Sequence, residues 1–433
     1  MQRDRRPPNI ELGSLGISRF QKPPSRLING YGDAVWTGAA RTSQQSATSA
    51  RLDIPEKSPD FGKASTLPDS FLAKLSAAQT LFTFRDFILL PGRSRLEPRR
   101  IDLSSRLTRK IKLKVPLVSS PMDTVTEWKL ALEMARLGGA GAIHRNMPIQ
   151  DQVDQVRKVK AARGEVLSRD ERGKPLVGAS VSPLDQKRCI ALDRVVDFLV
   201  ADVAHFHTSM VIEASRKVIP HLGSEFIVGN VGTRNAAFDI LDELPRVDAF
   251  RAGIGSGSIC ITSEVTRVGA PTLFAVAEVA TALRERKLDL PVIADGGIRG
   301  PGDAALAFAA GASTAMLGSL LAGTEEAPSQ LVVRRGKRFK THRGMASAAA
   351  RKVRFAVDRY SVPAKGLDEG VESYVPYVGS AEGVVRMMEN GLRAAFGYAG
   401  AGSMEDMWRK AAFGSVSAVG AQELGAHSLE VKR

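Results

Sequence analysis

The sequence predicts an α/β protein built as a (β/α)8 TIM barrel, with a flexible N-terminal tail and a long segment after the eighth strand. Three observations predict it. Eight short, nearly continuous apolar runs alternate with helical stretches, as strands buried on both faces do. Polar and small residues gather at one end of these runs (Ser119, Ser120, His144, Asp202, Asn230, Asp295 and Ser319), where a parallel barrel carries its catalytic face. The 433 residues, 43% of them hydrophobic, suffice for one large core. An open doubly wound sheet is the rival architecture.

Residues 1–79 are rich in Arg, Pro, Ser, Gly and Gln and show no sustained period. They read as a flexible extension, and residues 80–433 as a single barrel domain. The apolar runs are Pro116–Ser120, Gly139–His144, Leu176–Val181, Phe198–Val203, Phe226–Val231, Ala249–Gly253, Pro291–Gly296 and Ala315–Ser319. Helical patterns between them include Glu127–Leu137, Ile149–Ala162, Thr208–Ile219, Asn235–Leu244 and Gly302–Ala310. Thr324 to Pro376 reads as a long irregular segment, basic at Arg334–Arg343; loops of that length are usually lids or linkers. Helices return at Ala381–Ala395 and Ser403–Ala411.

Net charge is +15, from 61 basic and 46 acidic residues. Nucleic acid is one partner such charge suggests. The basic residues are dispersed and aromatics are only 6%, which favours an entrance for anionic small molecules instead. Two cysteines, Cys189 and Cys260, make no disulfide framework and suit a reducing, cytoplasmic setting. No apolar run approaches a membrane span, and no secretory leader is visible.

The chemistry concentrates in Gly253–Thr262, GIGSGSICIT. Its glycines allow a tight turn that aims backbone groups inward. A cysteine is usually a small buried hydrophobe, but a Ser–Gly turn is a poor core position, and a thiolate nucleophile at Cys260 is the alternative. Asp295, followed by two glycines, suits a sugar diol, or else caps a helix. Gly318 and Ser319 follow strand eight, where barrels commonly hold phosphate. His205 and His207 lack a third convergent ligand and make a weak metal site.

Several stretches closely resemble the IMP dehydrogenase/GMP reductase family: VSSPMDTVTE (118–127), GGAGAIHRNM (138–147), GIGSGSICITSEV (253–265), VIADGGIR (292–299), MLGSLLAGTE (316–325) and RGMAS (343–347). The resemblance runs from about Phe82 to the C-terminus. It implies NAD-dependent oxidation of IMP to XMP, with Cys260 attacking C2 of the purine and leaving a covalent thioimidate that is then hydrolysed. Arg359 and Tyr360 resemble a dyad on a mobile catalytic flap, with the arginine activating water and Thr262 assisting. The resemblance places IMP on Ser120, Met122, Ser258, Asp295, Gly297, Gly318 and Ser319, and on Gly344, Met345, Glu369 and Gly370. It places the cofactor on Asp202, Asn230, Arg251 and Gly253. A potassium site is implied at Gly255, Gly257 and Cys260, completed by Glu423 and Gly425 of a neighbour in a homotetramer. GMP reductase is the nearest alternative, and a non-catalytic nucleotide- or nucleic-acid-binding barrel a remoter one; Arg359, Tyr360 and Glu369 favour the dehydrogenase.

The chain departs from the family pattern in places. The regulatory CBS modules that many members insert after strand two have no room here. Phe206 stands where glycine is usual, beside the expected cofactor site. His342 replaces a common tyrosine, Ala346 a glycine, and Leu424 a glycine of the potassium segment.

Overall fold

The computed structural model describes residues 71–348, 350, 368–417 and 419–424. The expected N-terminal tail lies almost wholly outside them. Contacts divide the chain into Met1–Ser76 and Ala77–Arg433. Of the first unit only the short helix Phe71–Ser76 is described.

The second unit is the expected barrel. Its strands are β1 (Leu117–Ser119), β2 (Ala140–Ile143), β3 (Val177–Val181), β4 (Phe198–Ala201), β5 (Glu225–Val231), β6 (Ala249–Ala252), β7 (Val292–Asp295) and β8 (Thr314–Leu317). Each pairs in parallel with the next, and β8 closes onto β1. Alternation along the strands divides the core in two. Val118, Ala140, Ala142, Phe198, Val200, Ile227, Ala249, Ile293 and Met316 fill the interior. Their neighbours Leu117, Ile143, Leu199, Phe226, Val228, Phe250, Ala294 and Leu317 face the helices. With both faces covered, each strand reads as a continuous apolar run.

Small residues make room for large ones. A Cβ on Gly178 of β3 would stand 2.2 Å from the Phe198 ring. Phe198 is fully buried, worth about 2–3 kcal/mol of transfer free energy. The bottom of the barrel is stoppered by a hairpin, Ser105–Arg106 with Lys112–Leu113, whose Leu107 and Leu113 join the interior cluster.

Eight helices pack outside: α1 (Trp128–Arg136), α2 (Ile149–Ala161), α3 (Gln186–Asp193), α4 (Ser209–Val218), α5 (Arg234–Glu243), α6 (Thr272–Glu285), α7 (Pro301–Ala309) and α8 (Ala381–Ala399). Asp185 caps α3 through the Arg188 amide, and Thr233 caps α5 through the Ala236 amide, each satisfying an orphan donor. From Ala161 to Val177 the chain makes only a small polar turn closed by an Arg169–Pro175 bridge. No CBS module is inserted.

The segment after β8 corrects the reading of Thr324–Pro376 as irregular. Three antiparallel strands form there: β9 (Leu331–Arg334), β10 (Lys337–Arg343) and β11 (Glu372–Pro376). Arg335 and Gly336 turn β9 into β10 with φ of 50° and 74°, the left-handed pair a two-residue hairpin needs. The pattern was hidden because this sheet stands largely exposed, with charge where a core strand has apolar side chains. Lys340 is the exception: it is buried, and its ammonium donates to the carbonyls of Thr324 at 2.8 Å and Ala327 at 2.5 Å.

Candidate active site

The carboxyl ends of the strands open into one cavity lined by Ser120, Met122, Asp202, Asn230, Gly253, Gly255, Gly257, Ser258, Cys260, Thr262, Asp295, Gly297, Gly318, Ser319, Gly344, Met345 and Glu369. These are 17 of the residues singled out from the sequence. Gly370 reaches the site through its backbone, bridging Cys260. Arg251 lies beneath the surface, holding residues that line it. Arg359, Tyr360 and Gly425 lie outside the described residues. Glu423 ends a short helix, Gly420–Glu423, and Leu424 beside it lines a separate groove along Phe84–Pro91.

Cys260 is presented by geometry that demands glycine. At the end of β6, Gly253 takes φ +127°, and a Cβ there would stand 2.3 Å from the Asp295 carbonyl. The loop then turns, with the Cys260 amide on the Gly257 carbonyl at 3.0 Å. It is zipped to the returning chain: the Ile261 amide donates to the Glu369 carbonyl and the Val371 amide to the Ile259 carbonyl, both at 3.1 Å. The thiol is half-buried at the cavity wall, 3.2 Å from the Thr262 hydroxyl. That hydroxyl donates to Glu369 Oε2 at 3.1 Å, so thiol, hydroxyl and carboxylate form one line. Cys189 fits the bland reading instead. It is fully buried, donates to the Ser182 carbonyl, and burial pushes its thiol up to about 12.

A second cluster joins the ends of β4, β5, β6 and β7. Asp295 Oδ2 accepts from Asn230 Nδ2 at 2.8 Å and from Arg251 Nε at 2.9 Å. Its Oδ1 receives nothing from the described residues and remains available to a hydroxyl. The other arm of Arg251 reaches Asp202 Oδ1 at 3.0 Å, and Arg145 donates to the Asp202 carbonyl at 2.7 Å. Burial works against the Arg251 charge, but Asp295 and Asp202 outweigh it and its pKa stands above the ordinary value. Arg145 was not singled out from the sequence, although the GGAGAIHRNM stretch contains it.

The cavity's roof comes from β10 and the residues after it. Arg343 pairs with Asp123 at 2.7 Å, and Asn146 donates to the same carboxylate at 2.7 Å, tying roof to barrel. His342 lines the cavity at 1% exposure, its Nδ1 2.9 Å from the Thr124 hydroxyl. Burial pulls its pKa down to about 4, against the opposing charge of Asp123. The unfolded chain therefore binds a proton near pH 6.5 that the folded chain refuses until about pH 4. The stability this costs is absent above pH 6.5 and grows to about 3 kcal/mol as pH falls through 4. His342→Gln is expected to lose about 2 kcal/mol less than the wild type between pH 7.5 and 4.5 in urea unfolding. Identical losses would show that His342 is not held neutral.

Phe206, in place of the usual glycine, keeps its ring out of the cavity. It is fully buried in the outer core, does not line the cavity, and its amide donates to the Asn230 carbonyl at 3.0 Å. The ring is taken up by packing. His207 bonds Asp239 at 2.8 Å, and among the described residues no cluster of three or more metal-ligating side chains is found.

The family model of the IMP dehydrogenase / GMP reductase domain matches residues 81–427. The chain belongs to this family. It is an enzyme of the oxidoreductase class, in the form without CBS modules. An inosine-5'-monophosphate dehydrogenase of Korarchaeum cryptofilum is 37% identical, over 81% of this chain and 97% of the relative. One from Cryptosporidium parvum is 36% identical, over 81% and 95%. Among solved structures, a GMP reductase of Trypanosoma brucei in complex with guanosine 5'-monophosphate superposes with a TM-score of 0.76, at 27% identity, over 82% of this chain and all of that one. Among the described residues no helix is long and apolar enough to cross a membrane.

Proposed function

We propose that this member of the IMP dehydrogenase / GMP reductase family oxidises IMP to XMP with NAD through a covalent intermediate on Cys260. The observation that carries the covalent chemistry is the line of Cys260, Thr262 and Glu369 at the cavity wall. A reductase would use the same thiol and must protonate the departing ammonia, so the line alone serves either reaction; the Arg359–Tyr360 pair and the likeness to relatives named inosine-5'-monophosphate dehydrogenase favour the dehydrogenase. Thr262 donates to Glu369, so its oxygen is free to accept a proton from water while its own passes to the carboxylate.

The Cys260 sulfur attacks C2 of the hypoxanthine ring, and hydride leaves C2, giving a thioimidate. Water then adds at C2, the C–S bond breaks, and the thiol is restored with XMP released. Asp295 Oδ1 accepts from the ribose hydroxyls, while Asn230 and Arg251 hold its other oxygen. Ser258 and Ser319, with the backbone at Gly318, take the phosphate, and Ser120, Met122, Gly297, Gly344, Met345 and Gly370 shape the remainder of the nucleotide site. The other half of the cavity, at Asp202, Asn230 and Gly253 with the small apolar Val203 and Ala204, fits a second ribose and a flat ring. NAD, bound there, supplies the hydride acceptor.

The carbonyls of Gly255 and Cys260 receive no hydrogen bond from the described residues, while that of Gly257 accepts only from the Cys260 amide. These oxygens suit a large monovalent cation, and potassium there supplies charge that holds the loop. The Glu423–Gly425 segment of a neighbouring copy completes that site in a homotetramer. Arg359 and Tyr360 enter for the hydrolytic half-reaction.

Arg359→Ala tests the division between the halves. Mixed rapidly with IMP and NAD, it is expected to give an absorbance burst at 340 nm close to one per site. Steady turnover should then fall about 10²- to 10³-fold. Loss of the burst along with turnover would place Arg359 in the hydride step and contradict the reading.

A further inference from the structure

Arg188 is a buried cation, 1% exposed, that does not line the cavity. The reaction above gives it no task. It sits in the first turn of α3, where its amide and its Nε donate to Asp185 at 3.1 and 3.0 Å. The rest of the guanidinium has two further acceptors: Gln152 Oε1 at 2.7 Å and the Met147 carbonyl at 3.1 Å. Gln152, on α2 and fully buried, donates in turn to the carbonyls of Ile143 at 3.2 Å and Ser180 at 2.9 Å. The Arg188–Gln152 pair therefore grips the chain at Ile143, at the end of β2, and again at Met147.

Between these two grips lies the loop that brings Arg145 and Asn146 to the cavity. Arg145 donates to the Asp202 carbonyl at 2.7 Å, and its Nε stands 3.7 Å from Oδ2 of the same residue. Arg251 holds Oδ1 at 3.0 Å. Asp202 is thus aimed by two arginines, one from β6 and one from the β2 loop. Burial pulls the Arg188 guanidinium below its ordinary value and the nearby Arg145 charge adds to the pull, against Asp185. Two like charges are therefore kept close by directed bonds alone. Asn146 reaches Asp123 at 2.7 Å, but Arg343 holds that carboxylate as well. The nucleotide's assigned ligands Ser120, Ser258, Asp295 and Ser319 are carried by other strands' ends, those of β1, β6, β7 and β8.

We propose that Arg188 is a positioning residue for the cofactor: with Gln152 it fixes the β2 loop, so that Arg145 holds Asp202 in place for the cofactor's ribose. Affinity for NAD then depends on this buried relay, and affinity for IMP does not. The proposal rests on the reading above that Asp202 receives the cofactor. A binding group must be held to a fraction of an ångström by the residues behind it, and a small misplacement from a distant change is costly. Loss of a hydrogen bond to a charged group is worth about tenfold or more in affinity.

The test is titration calorimetry on the full-length chain carrying Cys260→Ala, in which turnover stops. IMP is titrated first, then NAD into the IMP-loaded protein. Arg145→Met and Arg188→Met are each expected to weaken NAD about tenfold or more and IMP less than about threefold. Both act through one route, so the two together should weaken NAD no further than the stronger one alone. With Cys260 restored, KM for NAD should rise while kcat at saturating NAD stays within about threefold. If Arg188→Met fails to fold, Arg188→Lys keeps the charge, reaches fewer acceptors and should weaken NAD about threefold. Unchanged NAD binding in Arg145→Met, or in the Arg188 variant that folds, overturns the proposal. IMP and NAD weakened equally would reduce the network to support of the fold and overturn it too, as would effects that multiply in the double variant. If the chain with Cys260→Ala alone binds IMP but not NAD, the cofactor reading falls and the relay with it.

Discussion

Cys260→Ala is expected to abolish turnover of IMP with NAD, by more than about 10³-fold, with IMP affinity changed less than about tenfold. In the proposed reaction the sulfur forms the bond that prepares C2 for hydride loss, and no other described side chain at the cavity wall is a comparable nucleophile. Its Sγ touches only the Thr262 hydroxyl among hydrogen-bonding groups, and the loop is held by backbone bonds from Gly257, Ile259 and Ile261. Truncation should therefore cost under about 1 kcal/mol of stability. Cys189→Ala is the contrasting control. Its thiol is fully buried and removed from the site, so it should lower stability by about 1 kcal/mol and leave turnover intact. Equal loss of activity in both variants would mean that the cysteines act through folding alone.

Arg251→Met carries the largest expected cost in stability, about 3–5 kcal/mol in urea unfolding. Its guanidinium is the shared counter-ion of Asp202 and Asp295. Without it two carboxylates, 18% and 15% exposed, face a buried gap, with only Arg145, 3.7 Å from Asp202, as a remaining counter-ion among the described residues. Removing one carboxylate as well should recover part of the loss, so Arg251→Met with Asp202→Asn is expected to be more stable than Arg251→Met alone. Both carboxylates lose an anchor together, so under the proposed assignment affinities for IMP and NAD should fall together. A loss below 1 kcal/mol would show that the cluster is solvated and the two carboxylates independent.

The barrel was legible because strands covered on both faces leave an unbroken apolar run, and eight such runs admit few architectures. The catalytic face was legible for the same reason: Ser120, Asp202, Asn230 and Asp295 interrupt apolar runs at corresponding ends, and the structure brings them around one cavity. The glycines beside Cys260 were legible as a turn. The need for Gly253 was not: it comes from the Asp295 carbonyl on the neighbouring strand, a contact made only by tertiary structure. The role of Arg251 was hidden likewise, since a guanidinium inside a strand shows its partners, Asp295 at the end of β7 and Asp202 just after β4, only once the barrel closes. The sheet of β9, β10 and β11 was missed because its solvent-exposed ribbon carries lysine and arginine where a core strand carries valine. Phe206 looked like an obstruction from its place in the motif; its backbone turns the ring into the outer core. Glu369, expected as a nucleotide ligand, also bonds Thr262, and that pairing depends on a return of the chain more than a hundred residues later.

Absorbance at 340 nm tests the central claim most directly. Purified protein in potassium buffer is supplied with IMP and NAD in one cell and GMP and NADPH in another. A rise in the first, with XMP formed in equal amount and no change in the second, is the predicted result. A fall in the second with a silent first cell would contradict it, making the chain a GMP reductase and leaving the Thr262–Glu369 pair without a hydrolytic role.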